Sequence, residues 1–165
     1  VDNQGEVLLG QLAKEQTEND DVRQFAEKMV KDHTAFGERL RKFSAVPSEA
    51  TAGGTAQLIR DGQINFVALK QQLGQQMLTS IRRELESKEG AEFDKCYVGQ
   101  QIFAHMKMHD TLKVFKEHAS PALAEVIDEG MDITSQHLEH AKKLMKSLES
   151  ESAPAARPAV GVGVQ

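Results

Sequence analysis

The chain has no tryptophan, one tyrosine, one cysteine and four prolines among its 165 residues, and each shortage excludes something. With Cys96 alone, no disulfide can close within the chain, so the fold must be held by packing. A chain of this length can bury a sufficient core as one domain without covalent help. A lone helical cysteine is ordinarily a small buried hydrophobe. Aromatics make up only 5% of the residues, which points to an interior of Ala, Leu and Met. No unbroken apolar run approaches the ~20 residues that a membrane-spanning helix needs. No dense Lys/Arg stripe interleaves with aromatics, and the net charge is -5 with a pI near 5.7, so general nucleic-acid binding is excluded. Convincing apolar/polar alternation over five or more residues is also missing, and β-branched residues are scattered. An all-α fold follows.

What is present is helical periodicity. Residues 4–18 place Leu8, Leu9, Leu12 and Ala13 on one side of a short helix, after which Asn19 and Asp20 interrupt and Asp20 or Asp21 can cap the next element. Val22, Phe25, Met29, His33, Phe36, Leu40 and Phe43 then recur every three or four positions, predicting a long amphipathic helix that ends near Val46-Pro47. Residues 48–54 read as a linker. From Thr55 to about Glu86 the spacing predicts a crossover helix, weakened locally by Gly62 and Gly74. SKEG at 87–90 breaks the chain before a helix over Ala91 to about His118, with Val98, Gln101, His105, Met108, Leu112 and Phe115 in its stripe. Ser120-Pro121 starts the last helix, whose buried face is Ile127, Gly130, Thr134, His137, Ala141, Leu144 and Leu148. The expected organisation is an antiparallel four-helix bundle over residues 1–149 and an Ala/Pro/Gly tail over 150–165.

Six histidines are present, and three of them, His33, His105 and His137, occupy the inward stripe of three different helices. A single histidine on an apolar face is ordinarily a hydrogen-bonded core residue. Three need a common explanation if they share a level. Glu6 lies as far before the first turn as His33 lies after it, and His105 and His137 are nearly symmetric about Ser120-Pro121, so antiparallel hairpins bring all four to mid-bundle. Unpaired imidazoles are costly to bury, and a metal satisfies several at once. His33, His105, His137 and Glu6 are therefore candidate ligands of a transition metal. Three imidazoles and a carboxylate suit zinc, copper or iron rather than calcium or magnesium. The HMKMH phrase around His109 invites a copper reading, although methionines at helical spacing are commonly core filler. His118 and His140 are expected at the surface.

The phrases FAEKMVKDHTAFGERL, GAEFDKCYVGQQIFAHMKMHDTLKVF and ITSQHLEHAKKL resemble a bacterial family of unknown function. Its members are often labelled outer membrane proteins and grouped with ferritin-like bundles. The resemblance spans roughly residues 4–147 and rests on Asp32-His33, Phe93-Asp94 with Tyr97, His105 and His137. It implies a ferritin-like bundle and export across the inner membrane, without implying an activity. Because proteins that span the outer membrane are β-barrels, the location it implies for a helical chain is periplasmic or secreted. The chain opens on Val1 in helix-like pattern, which a cleaved signal peptide and a trimmed start explain equally well. Ferritin di-iron centres take a Glu-x-x-His motif from each of two helices, whereas here Val30 precedes His33 and Thr134 precedes His137 by three residues. A mononuclear site fits better. Asp94 and Tyr97 lie too far along the helix from His105 to share its metal and are expected to hydrogen-bond to each other.

Three functions remain open at this level. One is a metal-handling or stress-protection protein, which can also form homo-oligomers. Another is a metal-free structural or interaction protein with hydrogen-bonded core histidines. The third is a metal-dependent oxidase or hydrolase, for which no base is evident.

Overall fold

The computed structural model describes residues 2–43, 59–60 and 63–151. These form five helices, α1 (Asp2–Gln16), α2 (Asp20–Arg41), α3 (Phe66–Glu86), α4 (Gly90–Lys116) and α5 (Pro121–Glu151), with a minimal strand pair, β1 (Ile59–Arg60) and β2 (Gln63–Ile64), before α3. The second helix ends at Arg41, with Lys42 as its C-cap, rather than near Val46-Pro47; the predicted linker and the tail from residue 152 onward fall outside the described residues. Helix α5 itself runs two residues past the expected limit, to Glu151.

Two local expectations are corrected. The N-cap of α2 is Asn19, whose side chain accepts from the Asp21 and Val22 amides at 3.0 and 3.1 Å. Asp20 and Asp21 instead occupy the first turn, where negative charge meets the positive end of the helix dipole. The crossover helix starts at Phe66 rather than near Thr55, because Ile59 pairs with Ile64 and Arg60 with Gln63 in an antiparallel ladder. Gly62, one of the two glycines expected to weaken that helix, falls outside the described residues.

Named contacts give the packing. Helices α1 and α2 run antiparallel, with Gly10 against Ala26, Met29 and Val30, and Asn3 against His33 and Gly37. A Cβ on Gly10 would lie 2.9 Å from Val30 Cγ2 and 3.2 Å from the Ala26 carbonyl oxygen, so only glycine allows this approach. Helices α4 and α5 are antiparallel through Gly99 and Met145 and through Lys116 and Asp128. Helix α2 opposes α5 through Arg39 and Glu129, and α1 opposes α4 through Glu6 and Gln101. These four helices, with Leu85 of α3, share one core that includes Leu9, Val22, Phe25, Met29, Tyr97 and Leu144.

At one end the core is closed by polar contact. Thr17, between α1 and α2, donates from Oγ1 to Asp94 Oδ1 at 2.5 Å, and both residues are buried. The expected Asp94–Tyr97 hydrogen bond is not made, since the Tyr97 hydroxyl is buried without a partner. Side chains on a helix lean toward its N-terminus, and the short Asp94 side chain reaches back to the α1–α2 turn. The Tyr97 ring instead stacks on Phe93 at 6.4 Å and meets Phe25 edge-on at 6.2 Å. Burial raises the pKa of Asp94, and the Thr17 hydrogen bond opposes that rise. Thr17→Val keeps the shape and removes the donor, so it is expected to destabilise the fold by about 2 kcal/mol, the cost of a buried polar group left unpaired. Urea unfolding at neutral pH checks this, and an unchanged midpoint would refute the role given to Thr17.

Candidate functional site

Three helices each contribute one imidazole to a single point in the interior. His33 from α2, His105 from α4 and His137 from α5 are 5%, 1% and 0% exposed. Their ring centroids lie 5.2–5.5 Å apart. His105 Nε2 is 3.3 Å from His33 Nε2 and 3.3 Å from His137 Nδ1. One ring nitrogen from each residue lies within 4.8 Å of the others, a grouping able to hold a metal ion. Of the four residues that levelling the hairpins about their turns was expected to bring together, the three histidines converge and Glu6 is not in their group.

The second nitrogen of each ring decides what the first can do. His105 Nδ1 lies 2.8 Å from the Gln101 carbonyl oxygen, which can only accept, so Nδ1 carries the proton. His137 Nε2 lies 2.9 Å from the Asp32 carboxylate, which likewise accepts. Asn3 donates from Nδ2 to the His33 carbonyl oxygen at 2.6 Å, which fixes its amide orientation and turns Oδ1 toward His33 Nδ1 at 2.9 Å. That nitrogen too is a donor. In the neutral rings, therefore, the three nitrogens that face one another all carry lone pairs. Such outer partners, a carbonyl, a carboxylate and an amide, are the ones that orient metal-bound histidines.

The electrostatics keep the rings neutral. Burial, with repulsion from the other two histidines, lowers the His33 pKa to about 3. Burial lowers His105 to about 4 against the opposing hydrogen bond to Gln101. His137 is also lowered by burial, although Asp32 pulls the other way. Burial alone would raise Asp32, but hydrogen bonds from Lys28 and His137 outweigh it and hold the carboxyl below its ordinary value. Lys28 Nζ sits 2.6 Å from Asp32 Oδ2, so a Lys28–Asp32–His137 chain leads from the surface to the trio.

Glu6 is buried and accepts from Gln101 Nε2 at 2.8 Å. It is joined to the site through Gln101, whose backbone carbonyl holds His105. Among the described residues, the converging group consists of the three histidines alone. Sequence reasoning assigned no role to Asn3, Asp32 or Gln101. Asp32 stood beside His33 in a recognised phrase, but its partner lies 105 residues away on α5. Of the other histidines, His140 lies edge-on to Phe25 at 5.0 Å and His109 lies 3.8 Å from Asp110. His118 is exposed.

Together these features define an all-helical protein with a buried three-histidine cluster, oriented from outside by a carboxylate, an amide and a carbonyl. The chain belongs to a family described as a domain of unknown function, DUF4142, whose profile matches residues 1–144. No curated protein and no solved structure matches it. Among the described residues no helix is long and apolar enough to cross a membrane.

Proposed function

We propose that this protein is a metal-binding helical bundle whose centre holds one transition-metal ion on His33 Nε2, His105 Nε2 and His137 Nδ1, serving metal handling or stress protection. In this reading α1, α2, α4 and α5 form a ferritin-like antiparallel four-helix bundle, with α3 as the crossover between its second and third helices. The observation that carries the proposal is the convergence of three lone pairs in a buried site. Lone pair against lone pair is repulsive, and a hydrogen-bonded core cluster would need a proton between the rings, which burial disfavours. A cation removes the conflict.

The geometry supports a small ion. Metal–nitrogen bonds of about 2.0–2.1 Å in tetrahedral arrangement separate the nitrogens by roughly 3.3–3.4 Å, and both separations from His105 are 3.3 Å. Imidazole donors favour zinc, copper or iron over calcium and magnesium. The positions three residues before His33 and His137 hold Val30 and Thr134, and Thr134 spends its hydroxyl on the Gly130 carbonyl at 2.6 Å. One ion therefore fits better than two. For Glu6 to fill the fourth position it would have to leave its hydrogen bond to Gln101, and Glu6→Gln, expected to weaken metal binding in that case, tests the assignment. A periplasmic or secreted location belongs to the same proposal.

The test is metal analysis of the untagged full chain purified without added metal, beside His33→Ala. One equivalent in the wild type and none in the variant is expected. Failure of the wild type to carry metal, or to take up zinc, copper or iron at micromolar concentration, would end the proposal.

A further inference from the structure

Helix α3 is amphipathic in sequence, yet of its 21 residues only Ala68 and Leu85 are buried. Its stripe of Phe66, Leu69, Leu73 and Met77 faces outward, and Phe66 is 75% exposed. The adjoining face of α4 is similar, with Phe103 at 67% and Phe115 at 53% exposed, and Met106 and Val114 about half exposed. Lys70, one helical turn from both Phe66 and Leu73, joins the two stripes. Lys70 of α3 lies over the Phe115 ring at 5.8 Å, and one groove is lined by Lys70, Phe103, Met106, Asp110, Val114 and Phe115. Beneath α3, a cavity of about 350 Å³ separates Met77 and Ile81 from Leu9 and Phe103.

We infer that this α3–α4 face is the interface of a homodimer. At roughly 200 Å² for a large apolar side chain, half-exposed residues in this number present on the order of 800–1,000 Å². That is more than a monomer ordinarily leaves in one patch and matches the ~800 Å² per partner of a stable interface. The charges select a second copy as the occupant. The face carries Lys70 and Lys107 together with Asp110, so both signs are present. A two-fold interface sets the same patch against itself, and a patch of mixed sign can match its own copy, whereas an anionic membrane surface would call for cations alone. The histidine site is not required for this inference.

Sedimentation velocity of the full chain between about 1 and 100 µM tests it. The wild type is expected to sediment at twice the 18.2 kDa chain mass. Phe103→Glu and Leu73→Glu are expected to weaken dimerisation at least tenfold, with circular dichroism confirming that each remains helical. Leu8→Glu places the same charge at an exposed apolar position that belongs to α1 and not to α3 or α4, and is expected to leave the dimer intact. A wild type that stays monomeric throughout, or a dimer that survives both Phe103→Glu and Leu73→Glu, would overturn the inference.

Discussion

Replacing His105 with alanine is expected to abolish the rise in unfolding temperature that a bound metal gives the wild type. A ligand that binds only the folded state, at a free concentration 100 times its Kd, stabilises by about 2.7 kcal/mol. For a domain of this size that corresponds to roughly 5–10 °C. His105 is the member of the trio whose Nε2 lies 3.3 Å from both of the others, so its removal takes away the donor that the other two share. Asp32→Asn is the graded comparison. Its carboxylate touches only the outer nitrogen of His137, and losing such a partner costs about 10–100-fold in metal affinity. Thermal melts with and without zinc or copper would show a full shift in the wild type, a reduced one in Asp32→Asn and none in His105→Ala. An undiminished shift in His105→Ala would place the metal elsewhere.

Lowering the pH from 7 to 5 is expected to remove about 4 kcal/mol of stability from the metal-free protein. In the unfolded chain histidines protonate near 6.5, whereas in the fold His33 is held at about 3 and His105 at about 4. The unfolded state therefore binds protons below pH 6.5 that the folded state refuses, and each such histidine costs about 2 kcal/mol over this interval. The contribution is fully present above pH 6.5, declines as the pH falls, and levels off only near the folded values. Buried Asp94, whose pKa is raised, acts in the opposite sense as the pH falls, so the histidines must outweigh it for stability to drop. Urea midpoints measured at pH 7, 6 and 5 with a chelator should fall steadily. A flat profile would mean that the trio already shares a proton in the folded state, which would remove the main support for a metal.

The same residues show where sequence reasoning succeeded. Three- and four-residue spacing puts Val22, Phe25, Met29, His33, Phe36, Leu40 and Phe43 on one face, of which the first five are buried while Leu40 is half-buried and Phe43 exposed. The equivalent face of α5, from Ile127 to Leu148, is buried throughout. Phe115 kept the period of α4 but sits at its exposed end. The α3 stripe shows a limit of another kind, because periodicity reveals that a helix has an apolar side without saying what covers it. Polar pairings were the least legible. Thr17 with Asp94, Asn3 with His33 and Asp32 with His137 are 77, 30 and 105 residues apart. A hydrogen bond depends on tenths of an ångström and on side-chain direction, neither of which leaves a periodic trace.

Residue type and spacing were enough for the all-helical class and the inward direction of His33, His105 and His137, because helical period and the burial of apolar stripes depend on nothing else. The interior of Ala, Leu and Met expected from the short supply of aromatics holds only in part, since Tyr97, Phe25 and Phe93 are the largest fully buried side chains. Tertiary structure decided the chemistry of the site. The Gln101 carbonyl comes from His105's own helix, but only the approach of α1 to α2 and of α2 to α5 supplied the amide and the carboxylate that accept an N–H from His33 and His137 and turn their remaining lone pairs toward a common point. It also decided that α3 leaves an apolar face uncovered, since covering such a face depends on what packs against it.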